Sequence, residues 1–180
     1  MLRLNIGLVR HFKVKRGYPN KLVTPEEFMK WVEEYDLSDI EEEHVDLGNV
    51  EWENCLSSDL PRARKTAQKV FNGEIVVLKD LREISLSPIF KKNIRLPLFI
   101  HLLLIRLAWL CNHKSQKENK KQVLSRINHV IDMLIEENKN VLVVGHGGIM
   151  VFMRKELVKR GFSGPAFNRP NHALIYVFKK

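Results

Sequence analysis

Short apolar runs alternate along the chain with longer stretches whose apolar residues recur at helical spacing. The runs cover residues 4–9, 50–56, 75–78, 141–144 and 173–178. They are rich in aliphatic and β-branched side chains, which is typical of strands buried in a sheet. The pattern therefore predicts a strand at each run, and the Val-Leu-Val-Val sequence at 141–144 is the clearest of them.

Helices are predicted between these strands. Residues 24–27, Thr-Pro-Glu-Glu, form a helix-start signal with Thr24 as N-cap and Glu27 in the capping-box position. Further helices are predicted over 60–71 and 118–138, and from 147 to about 160. Strands that alternate with helices indicate an α/β fold, a three-layer sandwich with a mostly parallel central sheet flanked by helices. We expect residues 1–180 to form a single domain, because no linker-like stretch interrupts them.

The most apolar window covers residues 94–111. Charged residues and a proline interrupt it well short of the roughly 20 residues that a membrane span requires, so no span is expected. On a helix over 96–110, Arg106 would lie nearly in line with Arg95 and His113, which leaves the remaining surface apolar. This pattern predicts a helix buried on several sides. A lid over an active site, a homodimer interface or a face resting on a membrane are the less common alternatives.

The composition indicates an excess of positive charge and an expected cellular location. Lys and Arg number 30 against 21 Asp and Glu, and the net charge of +9 favours anionic partners. The basic residues are dispersed, so no nucleic-acid partner is expected. Cys55 and Cys111 lie in apolar sequence and are predicted to be reduced, buried core residues. Residues 1–9 lack the features of an export signal, and the predicted location is cytoplasmic.

Three polar clusters follow predicted strands, where ligands bind in parallel sheets. Arg10-His11 joins a nucleophile or base to a fixed cation. Gly145-His146-Gly147-Gly148 begins a helix, and its glycines and free N–H groups suit an anion. The segment 57–67 presents Arg62 from a first helical turn. Taken singly, each cluster has an ordinary structural alternative. The first also fits a surface Arg-His pair, the second a tight turn, and the third a helix with a solvated basic face.

Together these motifs resemble the histidine phosphatase superfamily, also called phosphoglycerate mutase-like, in the order that the family requires. The similarity rests on three segments, which are Leu8-Val9-Arg10-His11, Ser57-Ser58-Asp59-Leu60 with the helix that follows, and Val143-Val144-Gly145-His146-Gly147-Gly148. Leu81-Arg82-Glu83 fits the acid segment of the family. The resemblance leaves out residues 85–117, which we expect to form a variable helical insert.

The resemblance implies a role for each matching residue. His11 would be the nucleophile, Glu83 the general acid, and His146 the second histidine that stabilises the transferring group. Arg10, Arg62, His146 and Gly147 would bind phosphate. The implied activity is that of a phosphatase which uses no metal and no cofactor, forms a phosphohistidine intermediate and takes a small phosphorylated metabolite as substrate. For Glu83, an ion pair with Arg82 or another surface cation is the alternative.

The first motif departs from the family pattern at two positions. Phe12 replaces a glycine, and Val14 replaces a hydroxyl or amide that commonly helps to hold phosphate. Replacement contacts are expected from Lys13, Lys15, Arg16 or Asn20. This departure keeps open a noncatalytic phospho-ligand binding module, and the family also leaves open a phosphoglycerate mutase or a phosphohistidine-protein phosphatase.

The helix over 96–110 is expected to help cover the active site, because it is strongly apolar and follows the segment that holds Glu83. Leu103 and Trp109 are the side chains predicted to influence substrate preference.

Overall fold

The computed structural model of the chain describes residues 4–90 and 92–180. Its sheet has the strand order β3-β2-β4-β1-β5. The strands are β1 (Asn5–Arg10), β2 (Asn54–Ser58), β3 (Ile75–Leu78), β4 (Val141–Gly145) and β5 (Ile175–Lys179). The first four strands run parallel, and β5 joins β1 in the antiparallel direction. The prediction of a mostly parallel sheet is confirmed.

Helices cover both faces of this sheet. They are α1 (Pro25–Leu37), α2 (Pro61–Val70), α3 (Leu98–Leu110), α4 (Lys120–Glu137) and α5 (Gly147–Lys159). Side chains alternate along β4, so that Leu142 packs with Ala63 and Ala67 of α2, whereas Val143 packs on the opposite face with residues of α4 and α5. The three-layer architecture is therefore also confirmed.

Local signals explain most of the element boundaries. The predicted capping box forms at α1, where Thr24 and Glu27 exchange side-chain to backbone hydrogen bonds. β2 begins at Asn54, four residues later than predicted, and residues 50–53 lie before the sheet. A short 3-10 helix, Lys79–Leu81, was not predicted; it directly precedes the acid segment.

The prediction that the apolar helix is buried on several sides is wrong. One side of α3 packs against α1 through buried residues such as Leu98 and Ile105. The opposite side is exposed, with exposed fractions of 49–65% for Phe99, Leu103, Leu107 and Leu110. The high apolar content therefore does not determine how many sides of this helix are covered by the rest of the protein.

The two cysteines differ in their environments. Cys55 lies in β2 and is buried, as predicted. Cys111 is exposed, so its predicted burial is wrong; it forms the C-cap of α3, where the helix leaves the core. Across residues 4–90 and 92–180, no helix is long and apolar enough to cross a membrane.

Candidate active site

The pairing of β1 with β4 places the two site histidines side by side. Arg10 is in register with Gly145, so the residues that follow them, His11 and His146, leave the sheet together. The His11 N–H donates to the carbonyl oxygen of Gly145 at 3.0 Å, and the centroids of the two imidazoles are 5.1 Å apart. On the other side of β4, the end of β2 carries Ser58, whose Oγ lies 2.9 Å from His146 Nε2.

The hydrogen bonds of His11 indicate which ring nitrogen carries the proton. Its Nδ1 lies 2.6 Å from the carbonyl oxygen of Phe12, which can only accept, so Nδ1 is the donor. Nε2 then has a lone pair, which accepts from the Arg62 Nε–H at 3.2 Å. Burial and the nearby Arg62 cation hold the pKa of His11 well below its ordinary value. The ring is therefore neutral at pH 7, with its nucleophilic nitrogen beside a guanidinium.

Arg62 is held in place by two residues of α1. Arg62 is only 4% exposed. Its guanidinium donates to the Asp36 carboxylate and lies over the Tyr35 ring, 5.4 Å from the centroid. These contacts offset part of the cost of burying a cation. Asp36 and Tyr35 were not predicted as site residues, because their role depends on how α1 packs beside α2.

Arg10 and His146 each retain a buried nitrogen without a partner. Arg10 donates through one terminal nitrogen to the carbonyl oxygen of Pro170 at 2.8 Å. Its Nε, like Nδ1 of His146, finds no hydrogen-bond partner among the described residues. A Cβ added to Gly147 would lie 3.4 Å from the Arg10 guanidinium, so this helix N-terminus lies directly against the cation. Buried polar atoms without partners are costly, and an oxyanion could satisfy both of them.

Burial also lowers the pKa of His146, far below its ordinary value, and the neighbouring Arg62 and His11 act in the same direction. Both site histidines are consequently neutral when no anion is bound. A bound dianion would reverse the contribution of the arginines and favour a proton on His146.

A third histidine, His172, was missed by the sequence analysis. Its Nδ1 donates to the carbonyl oxygen of His11 at 2.7 Å, and the two ring centroids are 5.0 Å apart. Because β5 is antiparallel to β1, the residues before β5 lie beside the end of β1. The polar sequence before the last strand could have pointed to a site residue, but only if the pairing of β5 with β1 had been known.

Glu83 lies at the N-terminus of α5. Its Oε2 accepts from the Gly148 N–H at 2.9 Å, and its Oε1 accepts from the Ile84 N–H at 3.0 Å. Arg82 forms an ion pair with Asp59 instead, so the alternative pairing of Glu83 with its neighbour is wrong. The structure thus aims the carboxylate at the same end of the sheet as the two histidines.

A cavity of about 300 Å³ joins most of the predicted site residues. Its lining includes Arg10, His11, Arg62 and Glu83. A second cavity of about 390 Å³ adjoins it, shares Glu83, and has mainly apolar walls that include Ile84, Leu86, Leu102, Ile105 and Trp109. Glu83 therefore stands between a cationic compartment and an apolar one.

The departures in the first motif do not obstruct this cavity. Phe12 is 1% exposed and packs with Ile40 and Val45, while its backbone N–H donates to Thr66 Oγ1 at 2.9 Å. Val14 is likewise buried and pairs with Ile40. Phe12 thus fills a small core between the β1–α1 loop and the chain before β2, and neither side chain lines the cavity.

The expected replacement contacts are not found in the described part of the chain. The side chains of Lys13, Lys15 and Arg16 form exposed ion pairs with Glu41, Asp39 and Glu34. Within residues 4–90 and 92–180, neither these three nor Asn20 lines the cavity that holds His11. Their positions give no support to the prediction that they replace the missing phosphate ligands.

Helix α3 reaches both cavities, through Trp109, which was predicted, and through Leu102, which was not. Leu102 lines both, and Trp109 lines the apolar one. Leu103 is half exposed and faces away, so its predicted influence on substrate preference is not supported by its position. Over the described ranges, no group of three or more His, Cys, Asp or Glu residues is arranged to hold a metal ion.

Solved structures with the same fold include proteins that are described as phosphatases. An Escherichia coli K-12 protein provisionally assigned as an alpha-ribazole-5'-P phosphatase superposes with a TM-score of 0.61 at 18% identity, over 97% of this chain and 89% of that one. The mycobacterial glucosyl-3-phosphoglycerate phosphatase superposes with a TM-score of 0.56 at 19% identity, over 87% and 80%. At these identities the likeness concerns the fold. No curated protein sequence matches the chain significantly.

A family model provides the sequence-level relationship. It describes the histidine phosphatase superfamily, branch 1, and it matches residues 42–177. The matched range contains Arg62, Glu83 and His146, while Arg10 and His11 precede it. Because the match covers well over half of its length, the chain belongs to the histidine phosphatase superfamily, as its motifs predicted.

Proposed function

We propose that this protein is a phosphatase that hydrolyses phosphomonoesters through a phosphoryl group carried on His11, without a metal or another cofactor. The observation that carries the proposal is the state of His11, a buried neutral imidazole whose Nε2 lone pair lies beside Arg62 at the wall of a cavity. A neutral nitrogen can attack phosphorus in line while fixed cations stabilise the charge on the phosphoryl oxygens.

Phosphate would be held by Arg10, Arg62, His146 and the backbone at Gly147. The unpartnered Arg10 Nε and His146 Nδ1 suit two oxygens of the anion. Arg62 Nε–H would move from His11 to a phosphate oxygen, which frees the lone pair for attack. The hydrogen bond of His11 Nδ1 to Phe12 keeps the ring oriented during this exchange.

Two transfers complete the reaction. In the first, a bond forms between phosphorus and His11 Nε2, the bond from phosphorus to the ester oxygen breaks, and Glu83 gives its proton to the departing oxygen. In the second, water attacks the phosphohistidine, the bond from phosphorus to nitrogen breaks, and Glu83 takes the proton of that water. Glu83 thus begins the cycle with the proton that it donates and recovers it in the second transfer.

The substrate that we propose is a small phosphorylated metabolite. The cationic cavity suits a phosphate group, and the adjoining cavity of about 390 Å³ with mainly apolar walls would receive the leaving group. The similar structures named above act, by their descriptions, on phosphorylated compounds, which supports this class. We place the protein in the cytoplasm, since Cys55 and Cys111 are both free.

A chromogenic aryl phosphate tests the proposal. The wild-type protein should release phosphate in the presence of a chelator, and His11→Ala should lose activity on the order of 10³-fold or more. His129→Ala, which removes an exposed histidine on α4, is the matched control and should retain full activity. Binding of inorganic phosphate without turnover would contradict the proposal and favour the noncatalytic module. Activity lost to chelator and restored by added metal would contradict the metal-free mechanism.

A further inference from the structure

Helix α3 carries a row of exposed apolar side chains. Phe99, Leu103, Leu107 and Leu110 are spaced by four, four and three residues, which places them on one face of the helix. Their exposed fractions lie between 49% and 65%. We call this set the α3 stripe. Single exposed apolar residues are ordinary, but a contiguous row of four large ones marks an interaction surface.

The sequence around the α3 stripe is strongly basic. Residues 84–121 hold eight Lys and Arg but a single acidic residue, Glu118, so this segment has a net charge of +7 within a chain of +9. Helix α3 itself has no acidic residue. Arg106 is exposed beside Leu103, Leu107 and Leu110, and Lys92 and Arg95 are exposed just before the helix. Arg95 also forms an exposed ion pair with Glu27 at 3.7 Å. The α3 stripe is therefore an apolar surface with basic flanks.

The α3 stripe also lies beside the mouth of the candidate active site. Phe99 lines a surface groove of about 800 Å³ together with Lys21 and Arg169. Tyr18 and Leu102 line both this groove and the cavity that contains His11. The apolar row, the basic side chains and the opening of the cavity thus occupy one side of the molecule.

We propose that the α3 stripe and its basic flanks dock on the surface of an anionic lipid bilayer. The apolar side chains would enter the boundary between head groups and acyl chains, while Lys92, Arg95 and Arg106 would contact lipid phosphates. A second copy of the chain fits less well, because a symmetric contact would bring two segments of charge +7 together. This docking goes beyond the proposed hydrolysis and does not depend on it.

Sedimentation of the full-length protein with vesicles tests the proposal. The protein should bind vesicles of phosphatidylcholine mixed with phosphatidylglycerol, and added salt should weaken this binding. Phosphatidylcholine alone should bind poorly. The double variant Leu103→Gln, Leu107→Gln should lower the partition coefficient on the order of tenfold or more, since it removes two apolar side chains that the bilayer would bury. Lys92→Gln should lower it about fivefold, and Arg95→Gln should lower it less, because Arg95 is also paired with Glu27.

Leu37→Gln with Val158→Gln is the matched control, because these two apolar side chains, on α1 and next to the end of α5, are at least as exposed as Leu107 of the α3 stripe. This pair should bind vesicles like the wild type, and far-ultraviolet circular dichroism should show that all variants are folded. No binding to the anionic vesicles, or equal loss in the stripe and control variants, would overturn the proposal. A wild-type dimer in light scattering that the stripe variant converts to a monomer would overturn it in favour of a second copy.

Discussion

Glu83 depends on the absence of a side chain at Gly148. A Cβ at that position would lie 2.5 Å from Glu83 Oε1, so Gly148→Ala must displace the carboxylate. We expect hydrolysis of alkyl phosphates to fall by up to about 10²-fold, and hydrolysis of aryl phosphates to fall much less, because an aryl oxide leaves without a proton. The ratio of kcat/KM for the two substrate types measures the effect.

Two variants serve as comparisons for this prediction. Glu83→Gln should show the same bias against alkyl phosphates at larger size, on the order of 10² to 10⁴. Gly147→Ala places its Cβ against Arg10 at 3.4 Å and should weaken phosphate binding without changing the bias. Equal losses on both substrate types in Glu83→Gln would remove Glu83 from the role of general acid.

At the residue scale, the sequence identified the groups that carry charge or a nucleophile but not those that orient them. Arg10, His11 and Arg62 were predicted because each follows a strand or begins a helix, and Glu83 was predicted from the family resemblance. The structure brings all four to one cavity. Asp36, Tyr35 and His172 orient Arg62 and His11 through contacts between distant segments. No local pattern could have marked these contacts.

The β1–α1 loop depends on Phe12 for its packing. The side chain fills the small core with Ile40 and Val45 and does not line the cavity. Phe12→Ala should lower the free energy of unfolding by about 3–5 kcal/mol through the cavity that it leaves. Denaturant titration measures this loss, and Phe99→Ala, which truncates an exposed phenylalanine, should cost less than about 0.5 kcal/mol. Similar losses for both variants would contradict the packing described for Phe12.

At the scale of elements, patterns predicted most of the helices and strands, and their failures have physical causes. β3 has the predicted bounds, and the other strands shift by a few residues because hydrogen bonding rather than apolarity sets their ends. α1 was located by a cap that acts within a single turn. The surroundings of α3 were predicted wrongly, since apolar composition does not specify which face meets the core.

At the scale of the whole molecule, the sequence predicted the layers but not the strand order. The site exists because β4, late in the chain, inserts between β1 and β2. Apolar runs do not encode which strand pairs with which, so the contact between His11 and His146 followed only from the family resemblance. The antiparallel position of β5, which delivers His172, was not predicted at all.

The stability of the whole molecule should depend on the two buried histidines. The pKa values of His11 and His146 are lowered in the fold from an ordinary value of 6.5, so the unfolded chain binds their protons first as the pH falls. Their contribution is complete above pH 6.5 and is lost below it, with a slope of about 1.4 kcal/mol per pH unit for each histidine. Denaturant titrations in phosphate-free buffer, from pH 7.5 to about pH 5.5, measure this slope.

His146→Asn should reduce that pH slope by up to half, because His11 and His172 also have lowered pKa values. An exposed replacement, His129→Asn, should leave the slope unchanged. A slope that is the same in all three proteins would show that the folded state does not hold His146 neutral. Inorganic phosphate should stabilise the wild type by mass action, since it binds only the folded site.

The most direct test of the account is the chemistry of the enzyme trapped during turnover. We expect phosphate bonded to a nitrogen of His11, located by peptide mapping, lost readily in acid and stable in base. A serine ester would survive acid, and an acyl phosphate would be lost in base, so this comparison identifies the nucleophile. Phosphate that is stable in acid, that maps to another residue, or that persists in folded His11→Ala would contradict the mechanism.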